Sequence, residues 1–188
     1  MDTLFDISPT LPPGFTYKEK FISTAEEDLL IGLVQNLDLN TMKFHQYEAK
    51  RKVLSFGYGW SFTDQQLKEG EPIPEGFDFL VQRVADTFGI PKTSITQFLL
   101  TEYPVGSVIN WHRDAPPFET VAGVSLVSNC TFKLRPHQKE KRTKGATISL
   151  PVKGRSLYIM QGPAKTEWQH CTAPVTALRY SITLRTVR

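Results

Sequence analysis

The sequence predicts a mainly β fold of the α+β class, with a double-stranded β-helix (jelly-roll) core and N-terminal helices packed outside it. Three observations lead to this prediction. Both helical patterns precede residue 91, short β-prone runs fill the remainder, and no linker-like stretch separates the two parts. We therefore expect a single domain over residues 1–188, with the jelly-roll core at about 95–188.

Two helices are predicted in the first half of the chain. Ser23 and Glu26 have the spacing of a capping box, and leucines and valines at helical spacing follow them, Leu29 included. The second helix covers about 77–88 and ends at Gly89. Between the helices, residues 51–62 are rich in aromatic and β-branched side chains, which favours a strand pair or a strand and loop.

Eight short strands are predicted after Pro91. Turn residues separate them, and their even spacing favours a sandwich or barrel over alternating strands and helices. The predicted strands are 95–100, 107–111, 121–127, 131–134, 146–150, 156–160, 168–172 and 180–185.

The composition is that of a soluble globular protein, with 40% hydrophobic and 22% charged residues. No apolar run approaches the roughly 20 residues that cross a bilayer, and the N-terminus lacks the basic and apolar regions of a signal peptide. Cys130 and Cys171 are too few for a disulfide framework. We therefore expect a cytoplasmic monomer without membrane association.

The positive charge is unevenly distributed. A net charge of +3 does not identify a nucleic-acid binder, but residues 133–144 carry six Lys and Arg against one Glu, and residues 50–52 form a second basic cluster. Either cluster could contact phosphates. A solvated hairpin tip and a basic strand start explain them equally well.

Candidate metal ligands are His112, Asp114 and, on a later predicted strand, His170. Residues i and i+2 of a strand share a face, so His112 and Asp114 can point into one cavity. Two imidazoles and one carboxylate leave positions open for a chelating cosubstrate and dioxygen, as in non-haem iron(II) oxygenases. Alone, an H-x-D tripeptide is a weak signal, because a polar strand end at the surface explains most of them.

Two arginines, Arg179 and Arg185, share one face of the last predicted strand with Ser181 and Thr183. If that face points inward, a dicarboxylate such as 2-oxoglutarate would offset the cost of burying the arginines, since guanidinium groups bind carboxylates in bidentate fashion. The opposite face of the strand is apolar and could equally be the core face, which would leave the arginines outside.

Together these residues resemble the AlkB family of Fe(II)/2-oxoglutarate-dependent dioxygenases. The family's N-x-Y-x-x-G…H-x-D segment is similar to residues 101–114, TEYPVGSVINWHRD, and its R-x-N-x-x-x-R segment is similar to residues 179–185, RYSITLR. Residues 51–60, RKVLSFGYGW, are similar to the family's base-gripping lid, which we place at about 45–75. The resemblance extends from about residue 12 onward.

The resemblance implies a role for each matching residue. His112, Asp114 and His170 would be the catalytic residues that hold Fe(II). Arg179 and Tyr103 would bind the distal carboxylate of 2-oxoglutarate, and Arg185 would lie near its keto-acid end. The remaining assignments are Thr101, Ile109 and Ser181 for the cosubstrate pocket, and Arg51, Phe56, Tyr58, Trp60 and Arg113 for the substrate.

Three positions depart from the family pattern. Thr101 and Ser181 stand where the family has Asn, so a hydrogen bond to the cosubstrate is lost or mediated by water. Pro116 stands where some members carry an acid that reads the adenine amino group, which argues against simple methyladenine specificity. The Phe56-Gly57-Tyr58 element, with Phe118-Glu119 after Asp114, is closer to members that act on transfer RNA or to other bacterial branches of the family.

The implied function is oxidative dealkylation of alkylated bases in DNA or RNA, that is, repair by a demethylase that uses O2. The base would be flipped out or single-stranded, and Phe56, Tyr58 and Trp60 are candidates to stack on it, although each could equally be a core residue. One alternative is hydroxylation or demethylation of transfer RNA or protein at the same iron site. The other is a barrel that binds a ligand without catalysis.

Overall fold

The computed structural model describes residues 10–44, 47–61 and 63–188. Its helices are α1 (Thr24–Gln35), α2 (Asp78–Phe88) and the short α3 (Pro163–Thr166). Its strands are β1 (Phe15–Lys18), β2 (Asn40–Phe44), β3 (Tyr47–Ser61), β4 (Gln66–Glu69), β5 (Gln97–Tyr103), β6 (Ile109–His112), β7 (Phe118–Leu126), β8 (Cys130–Pro136), β9 (Ile148–Val152), β10 (Leu157–Met160), β11 (Trp168–Thr172) and β12 (Arg179–Val187).

Two antiparallel sheets face each other. The larger sheet has the order β1-β10-β7-β12-β5-β3-β2, with β4 paired to β3, and the smaller sheet has the order β6-β11-β8-β9. From β5 to β12 successive strands alternate between the two sheets, except that β8 and β9 both lie in the smaller sheet, and this is the jelly-roll arrangement that the sequence predicts. Each of the eight predicted strands is confirmed, with ends within three residues of the predicted ones.

The larger sheet extends beyond the predicted core. Strand β1 pairs with β10, and residues 52–57 of β3 pair with β5, so the segment predicted as a lid begins as a strand of the main sheet. It leaves that sheet after Gly57, where Tyr58 begins the pairing with β4. Gly57 has φ 72°, and a Cβ there would overlap the Thr96 carbonyl oxygen, so the departure requires glycine.

The two predicted helices cover the outer face of the larger sheet. The capping box at the start of α1 is present: the Ser23 Oγ accepts from the Glu26 amide, and the Glu26 carboxylate accepts from the Ser23 amide. Arg83 of α2 forms an ion pair with Glu26 and so joins the two helices. Leu29, predicted on the apolar face of the first helix, is 53% exposed, because the core lies on the side of Leu30 and Val34.

Strand β12 has two buried faces, which decides the orientation that the sequence left open. Tyr180, Ile182 and Leu184 pack in the core beneath α1 and α2. The alternate residues, from Arg179 to Arg185, face the space between the sheets, where Arg185 reaches Asp114 and Arg179 reaches Ser125. The apolar face therefore anchors the helices while the polar face lines the interior.

Two further features are the state of the cysteines and the length of the helices. Cys130 and Cys171 are both buried free thiols. None of the helices in the described ranges is long and apolar enough to span a membrane.

Candidate active site

The three candidate metal ligands meet at one end of the smaller sheet. His112 ends β6 and lies opposite His170 of β11, while Asp114 follows β6 after one residue. The ligand atoms of the three side chains lie within 4.8 Å of one another. The His112 Nδ1–H donates to the Asn110 carbonyl oxygen at 2.8 Å, which fixes the ring and leaves Nε2 available as a ligand.

The electrostatics of this triad suit a divalent metal. Burial lowers the pKa of His170 to about 3, so its imidazole is neutral and can offer a lone pair. Burial alone would raise the pKa of the Asp114 carboxyl, but Arg185 and the two histidines outweigh it and hold that pKa below its usual range. A neutral imidazole beside a buried carboxylate is the state in which both bind a cation.

Arg185 positions the carboxylate of the triad. Its Nε and Nη2 donate to Asp114 Oδ1 at 3.1 and 2.6 Å, which leaves Oδ2 turned toward His170 at 3.6 Å. The Nη1 of Arg185 donates to the Gln97 side-chain oxygen at 2.6 Å. Gln97 is itself buried, so Arg185 and Asp114 have little freedom to move.

Arg179 is a buried guanidinium without a counter-charge. It is 2% exposed, its Nε donates to Ser125 Oγ at 2.9 Å, and its Cζ lies 4.9 Å from the centre of the Tyr103 ring. No carboxylate of the described residues forms an ion pair with it. A buried cation without a partner is costly, so this pocket is suited to an anion such as a carboxylate.

The other residues predicted for the cosubstrate pocket lie around Arg179. Tyr103 is its cross-strand partner on β5, and the neighbouring pair on the same two strands is Thr101 opposite Ser181. All three are buried. Ile109 faces them from the smaller sheet, with its amide donating to Thr172 Oγ1 at 2.9 Å. Together with the triad, this group could hold Fe(II) and 2-oxoglutarate.

The residues predicted to contact the substrate are scattered. Arg51 donates to the Val108 carbonyl oxygen beside β6, and exposed Arg113 donates to the Thr166 carbonyl oxygen. Trp60 is half-buried in the β3–β4 hairpin.

Phe56, for which the sequence left open a substrate contact and a core position, lies in the core. It is 9% exposed in the core beneath the helices and packs edge-on against Phe98. Its neighbour Ser55 lies on the opposite face of β3, is exposed, and accepts a hydrogen bond from Gln97. Tyr58 also lines a cleft on the helix side, with Val81 and Ile95, apart from the triad.

Sequence patterns did not reveal several interior polar residues, because none belongs to a motif. Ser125 and Gln97 hold the two arginines. Lys165 of α3 is 6% exposed, and its Nζ donates to the carbonyl oxygens of Ala115 and Pro116, at 3.1 and 3.4 Å. Lys165 therefore fixes the segment that follows Asp114.

The outer face of the smaller sheet, directly behind the triad, carries a pair of arginines. The side-chain oxygen of Gln169 accepts from Arg135 at 2.9 Å and from Arg142 at 3.1 Å. The Arg135 guanidinium lies 4.2 Å from the centre of the Trp111 ring, and Trp111 and Gln169 each adjoin a histidine of the triad in sequence. Neither arginine forms an ion pair with a carboxylate in the described part of the chain.

Residues 21–185 match the family model described as the 2OG-Fe(II) oxygenase superfamily. Among curated proteins, the chain is 26% identical over 174 residues to the tRNA (carboxymethyluridine(34)-5-O)-methyltransferase alkbh8 of Xenopus tropicalis, covering 89% of this chain and 26% of that protein. The protein of the same name from Mus musculus is 26% identical over 170 residues, covering 87% of this chain and 25% of its own length. The chain thus spans about a quarter of these relatives.

Two solved structures share the fold. The structure of OsALKBH1 superposes with a TM-score of 0.70 at 15% identity, covering 95% of this chain and all (100%) of that one. A prolyl hydroxylase in complex with a hypoxia inducible factor peptide, from Trichoplax adhaerens, superposes with a TM-score of 0.65 at 16% identity, covering 93% of this chain and 83% of that one. At these identities the likeness establishes the common jelly-roll architecture.

Proposed function

Because this chain belongs to the 2OG-Fe(II) oxygenase superfamily, we propose that it oxidatively dealkylates alkylated bases of DNA or RNA. Membership makes the chain an oxygenase that uses Fe(II), 2-oxoglutarate and O2, and it decides against a non-catalytic ligand-binding barrel. The similarity to proteins named alkbh8 and OsALKBH1 agrees with the resemblance to the AlkB family.

In this proposal His112, Asp114 and His170 hold the iron, and Arg179 with Tyr103 binds the distal carboxylate of 2-oxoglutarate. When bound, Fe(II) and 2-oxoglutarate would supply one oxygen atom of O2 to a C–H bond of the N-alkyl carbon, with the other oxygen entering succinate and CO2 released. The hydroxylated carbon would leave as an aldehyde, the base nitrogen would keep the electrons of the broken C–N bond, and the hydroxyl proton would pass to that nitrogen or to solvent. The protein's own contribution is orientation: Arg185 holds Asp114, Lys165 holds the segment that follows it, and the two sheets exclude water from Arg179.

The observation that carries the nucleic-acid assignment is the cationic outer face behind the triad. Arg135 and Arg142 both donate to the neutral side-chain oxygen of Gln169 and not to a carboxylate. No negative charge of the described residues therefore compensates the two guanidiniums, and they are available to an anionic ligand. Exposed Lys139, Lys141 and Lys144 extend this face along the β8–β9 hairpin. Phosphates of a strand whose base enters the site would meet this charge, and the relatives' names refer to tRNA.

Neutralising the exposed lysines tests this assignment. The triple variant Lys139→Gln/Lys141→Gln/Lys144→Gln is expected to bind all oligonucleotides more weakly and to flatten the salt dependence of binding. For a single strand, the slope of log affinity against log salt concentration should fall in magnitude by about 0.7 for each phosphate that the variant no longer neutralises. Arg142 is left intact, because its side chain also holds the carbonyl oxygens of Pro136 and His137. Affinity is measured at several salt concentrations.

The matched control removes three lysines on the β1 side of the protein, as Lys18→Gln/Lys20→Gln/Lys153→Gln. It lowers the net charge equally but is expected to leave the salt slope nearly unchanged. Equal effects of the two triple variants, or an affinity that does not depend on salt, would contradict a phosphate contact at the hairpin and favour a protein or small-molecule substrate.

A second candidate is hydroxylation of a transfer-RNA base at the same site, which the tRNA-modifying relatives favour. A panel of alkylated DNA and RNA oligonucleotides, unmodified and modified tRNA, and peptides separates the two. Dealkylation releases one aldehyde per succinate, whereas hydroxylation of a carbon-linked group leaves a product heavier by one oxygen and no aldehyde. Succinate formed only with peptides would contradict both candidates.

A further inference from the structure

We propose that Tyr158 is a further 2-oxoglutarate-binding residue, whose hydroxyl donates a hydrogen bond to a carboxylate or keto oxygen of the cosubstrate. The proposal rests on the use of 2-oxoglutarate by this oxygenase and is independent of the nucleic-acid assignment. The sequence patterns did not single out Tyr158.

The strand register places Tyr158 in the row of residues that faces the interior. On β10 it lies opposite Gly123 of β7, and Gly123 lies opposite Thr183 of β12. Thr183 stands between Ser181 and Arg185 on the interior face of β12. Tyr158 thus belongs to the same face as the two arginines, one strand beyond β7.

Gly123 lets the Tyr158 side chain lie across β7. A Cβ at position 123 would overlap the Cζ, Cε1 and Oη atoms of the phenol ring, so the hydroxyl end of the ring lies directly above the Gly123 backbone. The ring therefore extends from β10 toward β12, where Arg179 and Arg185 lie. Any larger residue at position 123 would displace it.

Neighbouring rings hold the phenol in this position. Phe132 lies 4.9 Å away between ring centres, and Phe15 stacks on Tyr158 at 6.2 Å with an interplanar angle of 8°. Phe132 in turn stacks on His170 at 5.2 Å, so this column of rings ends at the metal triad. Because packing fixes the ring, its hydroxyl is oriented before a ligand arrives.

The Tyr158 hydroxyl is a donor that has no hydrogen-bond partner among the described residues. Burial raises the pKa of Tyr158, so the hydroxyl keeps its proton. Tyr103 and Asp114 also raise that pKa and Arg179 and Arg185 lower it, and these groups lie at both ends of the candidate site. The hydroxyl donates a hydrogen bond to no residue within the described ranges. The fully enclosed side-chain atoms without a partner in the described residues are Ser107 Oγ and Ser128 Oγ, so the Tyr158 hydroxyl instead has open space beside it, which suits a ligand.

The short residues at two neighbouring positions leave room for this contact. Thr101 and Ser181 lie opposite each other beside Arg179, and both are shorter than the Asn found at these positions in the family that the sequence resembles. Tyr158 reaches the same pocket from the other side of β7. Its hydroxyl thus adds a donor to the hydroxyls of Thr101 and Ser181.

The test compares Tyr158→Phe with Tyr180→Phe. Both tyrosines are 7% exposed, but Tyr180 lies on the helix side of the sheet, where its hydroxyl donates to Glu102. With Mn(II) and without O2, the dissociation constant for 2-oxoglutarate is measured by calorimetry. Tyr158→Phe is expected to raise it roughly 10- to 100-fold, the range for losing a hydrogen bond to a charged group. Tyr180→Phe is expected to leave it unchanged, and both should bind Mn(II) like the wild type.

Gly123→Ala is a second way to remove the hydrogen bond from Tyr158 to 2-oxoglutarate, because it displaces the Tyr158 ring while keeping its hydroxyl. It is expected to weaken 2-oxoglutarate binding without weakening Mn(II) binding. Wild-type affinity for 2-oxoglutarate in a folded Tyr158→Phe variant would overturn the proposal. Failure of the wild-type protein to bind 2-oxoglutarate would instead contradict the cosubstrate pocket around Arg179.

Discussion

Loss of any one member of the triad is expected to abolish succinate formation from 2-oxoglutarate while the protein remains folded. Each of His112, Asp114 and His170 supplies one ligand atom within a 4.8 Å cluster, so two remaining ligands would bind Fe(II) too weakly to sustain turnover. The fold does not depend on the triad, because the apolar cores lie beneath the helices and between the sheets.

The structure determines which substitutions make a clean test. Asp114→Asn is preferred over alanine, since alanine would leave Arg185 buried without its partner, at a cost of about 3–5 kcal/mol. His112→Ala removes a partly exposed ring, whereas His170→Ala also removes the ring that stacks on Phe132 and should lower the melting temperature.

The matched control for the triad is His137→Ala, which changes an exposed histidine on the β8–β9 hairpin. Succinate production, Fe(II) binding and melting temperature are measured for all four variants. The control should match the wild type in all three. Near-normal succinate production by any folded triad variant would show that the iron is held elsewhere.

The strands were predictable because their signals are local. Alternating side chains and turn residues define β5 to β12 within short windows. The membership of β1 and β3 in the larger sheet was not predictable, because it depends on partners that are distant in sequence. Phe15 of β1 pairs with Met160, and nothing near Phe15 specifies that contact.

The site was only partly predictable for the same reason. The His112–Asp114 pair and the two arginines follow from spacing on single strands, and the structure places His170 of another strand beside the first pair. The place of Phe56 stayed open because a strand's spacing does not say which face points inward; the register with β5 places Phe56 in the core and exposed Ser55 on the opposite face. Gln97, Ser125, Tyr158 and Lys165 carry no motif, since their roles arise only from their packed neighbours.

Arg179→Ala is expected to raise the 2-oxoglutarate requirement strongly. Truncating one partner of a desolvated, hydrogen-bonded charge pair costs about 2–5 kcal/mol, which corresponds to a loss of affinity of roughly 30-fold or more. Arg179→Lys should recover part of the affinity, because an ammonium keeps the charge but not the bidentate geometry. The dissociation constant and the KM for 2-oxoglutarate are measured for both variants.

Arg179→Met separates a binding role from a structural one. Within the described part of the chain, Arg179 is a buried cation that contacts Ser125 Oγ and the Tyr103 ring but no carboxylate, so its replacement by an apolar side chain of similar length should not lower the melting temperature. Wild-type protein should gain stability when 2-oxoglutarate is added, and Arg179→Met should not. If Arg179 instead served the fold, the variant would melt at a lower temperature without ligand and would still be stabilised by it. An Arg179→Ala enzyme that saturates at the wild-type concentration of 2-oxoglutarate would exclude the carboxylate contact.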